Sequence, residues 1–186
     1  MNVYWGDTHH NTYQHCKQDP PLDQVLDFAR THLDFYTGAY YTAVFTQYGL
    51  KEEAAAGAAT GPAIGHAYEA SGSGGDWQGV RIEWLKPARE LTREWAEFVE
   101  ILRLQHTPGE FVTFPGYEWQ GDATWGDHNV IFPQEGTDIF TPTSLPELYG
   151  FVREHGALAI PHHTAYLPGM RAPRWRMCDT DLSPFS

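Results

Sequence analysis

Apolar positions recur at helical spacing in three stretches of the chain and form short, strand-like runs between them. Over residues 87–105, Ala88, Leu91, Trp95, Phe98, Val99 and Leu102 make one stripe, while Arg89, Glu90, Arg93, Glu94, Glu97 and Glu100 lie largely elsewhere. That pattern predicts an amphipathic helix, with Pro87 suited to its first turn. Residues 21–32 predict a second helix, started by Pro20-Pro21 and carrying Leu22, Val25, Leu26 and Ala29 at helical intervals. Residues 145–155 predict a third, closed by Gly156. Strands are predicted to end at 3–6, to fill the first part of 33–45, and to cover 111–118 (broken by Pro115-Gly116), 128–132 and 157–161. The order strand, helix, strand, helix, strand, strand, helix, strand favours an α/β fold with a parallel sheet or barrel.

Residues 51–79 interrupt this alternation. Fifteen of these 29 residues are Gly or Ala and few are large and apolar, so the stretch reads as an insertion with a short helix over 52–59. No repeat of 20–50 residues is present, and 186 residues suit one domain with its own core.

Composition narrows the classes of partner. A net charge of −12 repels phosphate backbones, so no nucleic-acid partner is expected. Small anionic substrates stay open, because a bound divalent metal can dominate the local field. No apolar run approaches the ~20 residues of a membrane span, and the start of the sequence lacks the pattern of a secretory signal, so a soluble, cytoplasmic chain with no membrane partner is the expectation. Cys16 and Cys178 form no Cys-x-x-Cys pair, which argues against a thiolate zinc site; two free thiols are expected ahead of one disulfide. Aromatics reach 15%, filling the core or lining a pocket. The ten histidines, against twelve Lys and Arg, direct attention to metal ligation.

The polar candidates gather at strand ends. Gly6-Asp7-Thr8-His9-His10-Asn11-Thr12 follows the first strand, Gly116-Tyr117-Glu118-Trp119 ends the third, Gly126-Asp127-His128-Asn129 precedes the fourth, and Pro161-His162-His163-Thr164 ends the fifth. Sites of α/β barrels form at strand C-terminal ends, so these groups can converge. Asp7 is expected to accept backbone N–H bonds in its turn and to steady His9. His15, His32, His66, His106 and His155 read as solvated or structural, and Arg171, Arg174 and Arg176 as a basic cluster that is solvated or grips an anion. No Gly-x-Ser-x-Gly elbow is present, and the glycines at 72, 74 and 75 lack the Lys-Ser/Thr of a phosphate-binding loop.

Four motifs in this order resemble the PHP (polymerase and histidinol phosphatase) superfamily, and more closely its DUF3604 branch: Trp5-Gly6-Asp7-Thr8-His9-His10-Asn11-Thr12, Phe114-Pro115-Gly116-Tyr117-Glu118-Trp119, Gly126-Asp127-His128-Asn129-Val130-Ile131-Phe132, and Ile160-Pro161-His162-His163. The resemblance implies a distorted, TIM-barrel-like (β/α)7 barrel of parallel strands with flanking helices. It makes residues 1–186 the N-terminal portion of that barrel, with the last strands missing: the family's final Asp-x-His has no match in Asp179-Thr180-Asp181-Leu182. It implies divalent ions (Zn, Mn or Fe, two of them) held by His9, Asn11, Glu118 as the bridge, His128, and one of His162 and His163, with the family's strand end favouring His163.

Two departures matter. Asn11 stands where the family has a second histidine, and Tyr40-Tyr41 where it has Asp-His. A neutral amide is the weaker ligand for Zn or Fe, and His10 points away from His9 on an extended strand. The implied activity is that of a metal-dependent hydrolase, a phosphoesterase using metal-activated hydroxide on a small phosphorylated substrate, with Glu118 and His128 as catalytic candidates. The alternatives are a degenerate, non-catalytic PHP-like domain that binds a ligand, and a metal-dependent lyase or carbohydrate-active enzyme on the same scaffold.

Overall fold

A computed structural model describes residues 2–11, 20–42, 88–121, 125–133, 138–162 and 164. The predicted insertion at 51–79, both cysteines, His15, His66, His163, the arginines at 171, 174 and 176, and the Asp179–Asp181 stretch lie outside the described residues.

Among the described residues, six strands and three helices are formed: β1 (Gly6–Asn11), α1 (Leu22–Ala29), β2 (Phe35–Tyr41), α2 (Ala88–Gln105), β3 (Val112–Phe114), β4 (Gly116–Trp119), β5 (His128–Ile131), α3 (Leu145–Glu154) and β6 (Leu158–Pro161). The strands make one curled, open half-barrel in the order β1-β2-β4-β5-β6, with β3 also paired to β2. Pro115 has no N–H to give the ladder, so the expected strand at 111–118 is split into β3 and β4, both parallel to β2.

The sheet is mixed, which corrects the all-parallel expectation. β1, β2 and β4 run parallel, but β5 is antiparallel to both β4 and β6. A short apolar run reads the same in either direction, and only eight residues (120–127) separate β4 from β5. A parallel return needs a crossover of a dozen residues or more, so so short a connection turns the chain back on itself.

The first strand also differs. Val3, Tyr4 and Trp5 are exposed, and β1 is made of the polar motif that was expected to follow it. Trp5 tethers the entry: its N–H donates to Asp34 Oδ2 at 2.7 Å and its carbonyl accepts from Asp34 N–H at 2.7 Å. Helix α1 ends at Ala29, three residues before the expected limit, in a turn over Arg30–His32. Helix α2 buries Trp95, Phe98 and Leu102 of the predicted stripe, with Leu91 and Val99 packed against them. Helix α3 stops where Gly156 takes φ +59°, a left-handed conformation that glycine adopts without a Cβ penalty.

Side chains alternate across a strand, and that alternation divides the molecule. One sheet face carries Tyr36, Tyr40, Tyr117, Trp119, Val130 and Ala159, and packs on Leu22 and Leu26 of α1, Trp95, Phe98 and Leu102 of α2, and Leu145, Leu148 and Val152 of α3. Each fully buried Leu or Phe in this layer contributes roughly 1.5–3 kcal/mol. Gly38 lets α2 approach, because a Cβ there would run into the Phe98 ring. The other, concave face carries the candidate site. No described helix is long and apolar enough to cross a membrane.

Candidate metal centre

An irregularity in β1 creates the first ligand position. Asp7 pairs with Tyr36 and His10 with Gly38, so Thr8 and His9 together stand opposite Thr37 alone. Such a bulge re-aims a side chain, and it turns His9 toward the concave face. Asp7 Oδ1 accepts the His9 backbone N–H at 2.9 Å, the turn-stabilising role expected of it. His10 returns to the helix-side face, 3.9 Å from Asp7 Oδ2, with its ring 5.9 Å from that of Tyr36.

His9 meets two other strands there. Its Nε2 lies 3.6 Å from Glu118 Oε2 of β4, and its ring stacks on that of His162, just past β6, at a centroid separation of 3.9 Å. Glu118 is buried and His162 half-buried. The His162 N–H donates to the Asp127 carbonyl at 2.8 Å, which fastens the end of β6 to the loop entering β5.

One ligand atom from each of His9, Glu118 and His162 falls within 4.8 Å of the others, so the group can hold a metal ion. Adjacent ligands of a tetrahedral ion with bonds of 2.0–2.2 Å stand about 3.3–3.6 Å apart. The His9–Glu118 separation of 3.6 Å already fits that edge, and all separations in the group lie within 4.8 Å. Glu118 is buried, and a cation at this point would offset its charge.

The other nitrogen of His9 is occupied. Nδ1–H donates to Asn129 Oδ1 at 2.6 Å, which leaves the Nε2 lone pair directed at the ligand position. Asn129 was not among the residues singled out from sequence. It is the ladder partner of Glu118, as His128 is of Trp119. Ladder partners share a face, so Asn129 joins the concave site and His128 is sent into the helix-side core. His128 is fully buried there, its Nε2 3.3 Å from the Tyr149 hydroxyl and its ring 6.0 Å from that of Trp119. Burial lowers its pKa from 6.5 to about 4, against the opposing effect of a backbone hydrogen bond to Gly126. The structure therefore does not bring His128 to the group formed by His9, Glu118 and His162.

The remaining candidates separate likewise. Asn11 closes β1 opposite Ala39, its side chain and His163 being outside what is described. Tyr40 points to the helices and its hydroxyl donates to Glu94 Oε2 at 2.8 Å; burial chiefly, then that carboxylate, raises its pKa far above the usual phenol value. Tyr41 is the ladder partner of Glu118 and sits buried beside it. His32, His106 and His155 make local contacts: with Thr31 Oγ1 at 2.6 Å, from the Thr113 N–H at 3.2 Å, and to the Phe151 carbonyl at 2.8 Å.

No known protein family and no curated protein matches this sequence.

Proposed function

We propose that this chain is a metal-dependent hydrolase of the PHP type, acting on phosphoesters, with its cation held by His9, Glu118 and His162. The observation that carries the reading is the meeting of these three groups, from three separated segments, around one point with His9 fixed by Asn129. Two imidazoles and a carboxylate that leave a coordination position open are the ligand type of catalytic zinc sites. A divalent ion there supplies Lewis acidity and brings the pKa of water from 15.7 to about 7. The residues contribute the rest: Glu118 offsets the cation's charge, Asn129 fixes the His9 tautomer, and Tyr41 fills the sheet position next to Glu118. In the reaction, water oxygen bonds to phosphorus, the bond from phosphorus to the ester oxygen breaks, and the leaving oxygen takes a proton. A partial barrel of the (β/α)7 PHP type and a second cation belong to the same proposal.

The test is metal analysis of the full chain, loaded with Zn or Mn and dialysed, paired with turnover of phosphomonoesters, phosphodiesters and carboxylic esters. The expected result is at least one tightly held ion per chain and metal-dependent phosphoester turnover, both lost in Glu118→Ala and His162→Ala. A stoichiometry near zero after loading refutes the reading. Metal retention without turnover on any ester favours the non-catalytic domain, to which the burial of Tyr40 under α2, at a position where the resembled family has a ligand, also leans.

A further inference from the structure

The concave face continues beyond the cation group into a cavity of about 280 Å³ with an almost wholly apolar wall, including Thr8, Phe35, Phe114, Ile131, Leu158 and Ile160. The same strands build both features. Thr8 is the other residue of the bulge that presents His9; Ile160 precedes His162 by two, and Ile131 follows Asn129 by two on the reversed strand. Two residues along a strand span about 6.6 Å, so one side-chain layer separates the ligand atoms from the upper wall of the cavity. That is roughly the length of one ester group.

The volume is close to the lower end of small-molecule sites, ~300–1,000 Å³, and at ~30 Å³ per water-sized group it takes about nine such groups. A wall without polar partners holds water poorly. An alkyl chain suits it, and each methylene buried there multiplies affinity about four-fold.

We propose that this cavity receives the apolar part of the substrate, an alkyl or aryl group of about six to nine carbons, so that the substrate is an amphiphilic ester whose scissile end lies at His9, Glu118 and His162. The position of the scissile end rests on the metal-hydrolase reading; binding in the cavity does not.

Straight-chain alkyl phosphonates from methyl to decyl, which carry a carbon–phosphorus bond in place of the scissile ester linkage, test it by calorimetric titration of the full chain below their micelle concentrations, with and without zinc. Affinity is expected to climb about four-fold per methylene up to about nine carbons and then level off. Leu158→Trp, at a half-exposed position on the rim where a larger side chain has room, is expected to weaken octylphosphonate at least ten-fold and to leave methylphosphonate affinity and metal content unchanged. Leu158→Ala, which keeps the cavity open, should retain the climb. Affinity independent of chain length overturns the proposal, as does a climb that Leu158→Trp leaves untouched. A climb that persists in a chain that holds no metal supports the cavity and refutes the cation reading instead; metal binding with no climb does the reverse.

Discussion

Replacing Asn129 by Ala removes the acceptor that holds the His9 ring, and the effect on metal affinity can be sized from the geometry. The Nδ1–Oδ1 distance of 2.6 Å is short for a neutral pair and joins two strands that do not neighbour each other in the sheet. Loss of such a supporting bond costs 10–100-fold in affinity, about 1.4–2.7 kcal/mol. The neighbouring substitution His128→Phe is the control. It keeps a buried ring beside Tyr149 and Trp119, on the face of β5 opposite to Asn129 and the candidate metal centre. Competition for Zn against a chromophoric chelator measures both variants, with circular dichroism to confirm that each is folded. Asn129→Ala should weaken Zn binding by the stated factor and His128→Phe should leave it within two-fold of the parent. A folded His128→Phe that loses the metal, or an Asn129→Ala that binds as the parent does, refutes the assignment of faces on β5 and the site built on it.

Two further predictions follow from burial. His128 has a pKa of about 4 in the fold against 6.5 outside it, so the unfolded chain binds more protons between those values. Stability contributed by the neutral ring is therefore complete above pH 6.5 and is lost as pH falls from 6.5 to 4, by about 3 kcal/mol in all; denaturant titrations of parent and His128→Phe should diverge in that window, and parallel curves would contradict it. At Gly116, a Cβ would stand 2.8 Å from Thr37 Cγ2, 2.9 Å from the Val130 carbonyl oxygen and 3.0 Å from that of Gly38. Two of those three neighbours are backbone and cannot swing away, so Gly116→Ala should cost about 1–3 kcal/mol, read as a drop of several degrees in melting temperature; an unchanged transition would show that β2 and β4 are less closely apposed.

The long helices were legible because their signal is redundant. The predicted stripe of α2 holds from Leu91 to Leu102, about three turns, with Trp95, Phe98 and Leu102 buried as its spacing requires and only Ala88 of the stripe exposed. Much of the strand inventory was also legible, since Tyr, Phe, Val and Ile cluster between turn residues. Strand direction was not, because direction depends on which partner a short run finds and on the length of the connection. The start of β1 was misplaced for a different reason. Val3, Tyr4 and Trp5 are apolar but exposed, whereas Gly6 to Asn11, with no apolar side chain, is held by parallel pairing to β2. Pairing there overrides local composition. Of the site, the types of residue and their strand-end location were visible in the motifs. What the motif could not convey was parity: in His128-Asn129 the eye goes to the imidazole, yet only one of two adjacent residues faces a given side of a sheet.

The chemistry of the site is thereby decided in the core. A slip of β5 by one residue would exchange the faces of His128 and Asn129, placing an imidazole beside Glu118 and an amide beneath α3. The apolar residues of the same segment fix the register. Val130 and Phe132 are both fully buried in the helix-side cluster, and the Phe132 N–H donates to the Pro115 carbonyl at 2.9 Å. Slipping by one would lift Val130 off that cluster, at roughly 1.5–3 kcal/mol for a buried side chain of this kind. It would also bury the Asn129 amide where it must find new partners, at about 1–3 kcal/mol if it does not. Together these exceed the 1.4 kcal/mol that separates tenfold populations, so one register dominates. The alternation of Val130 and Phe132 against the helices therefore selects an asparagine to orient His9 in place of a further histidine at the candidate metal centre. A polar substitution at Val130 should for that reason alter metal affinity although the side chain faces away from the site.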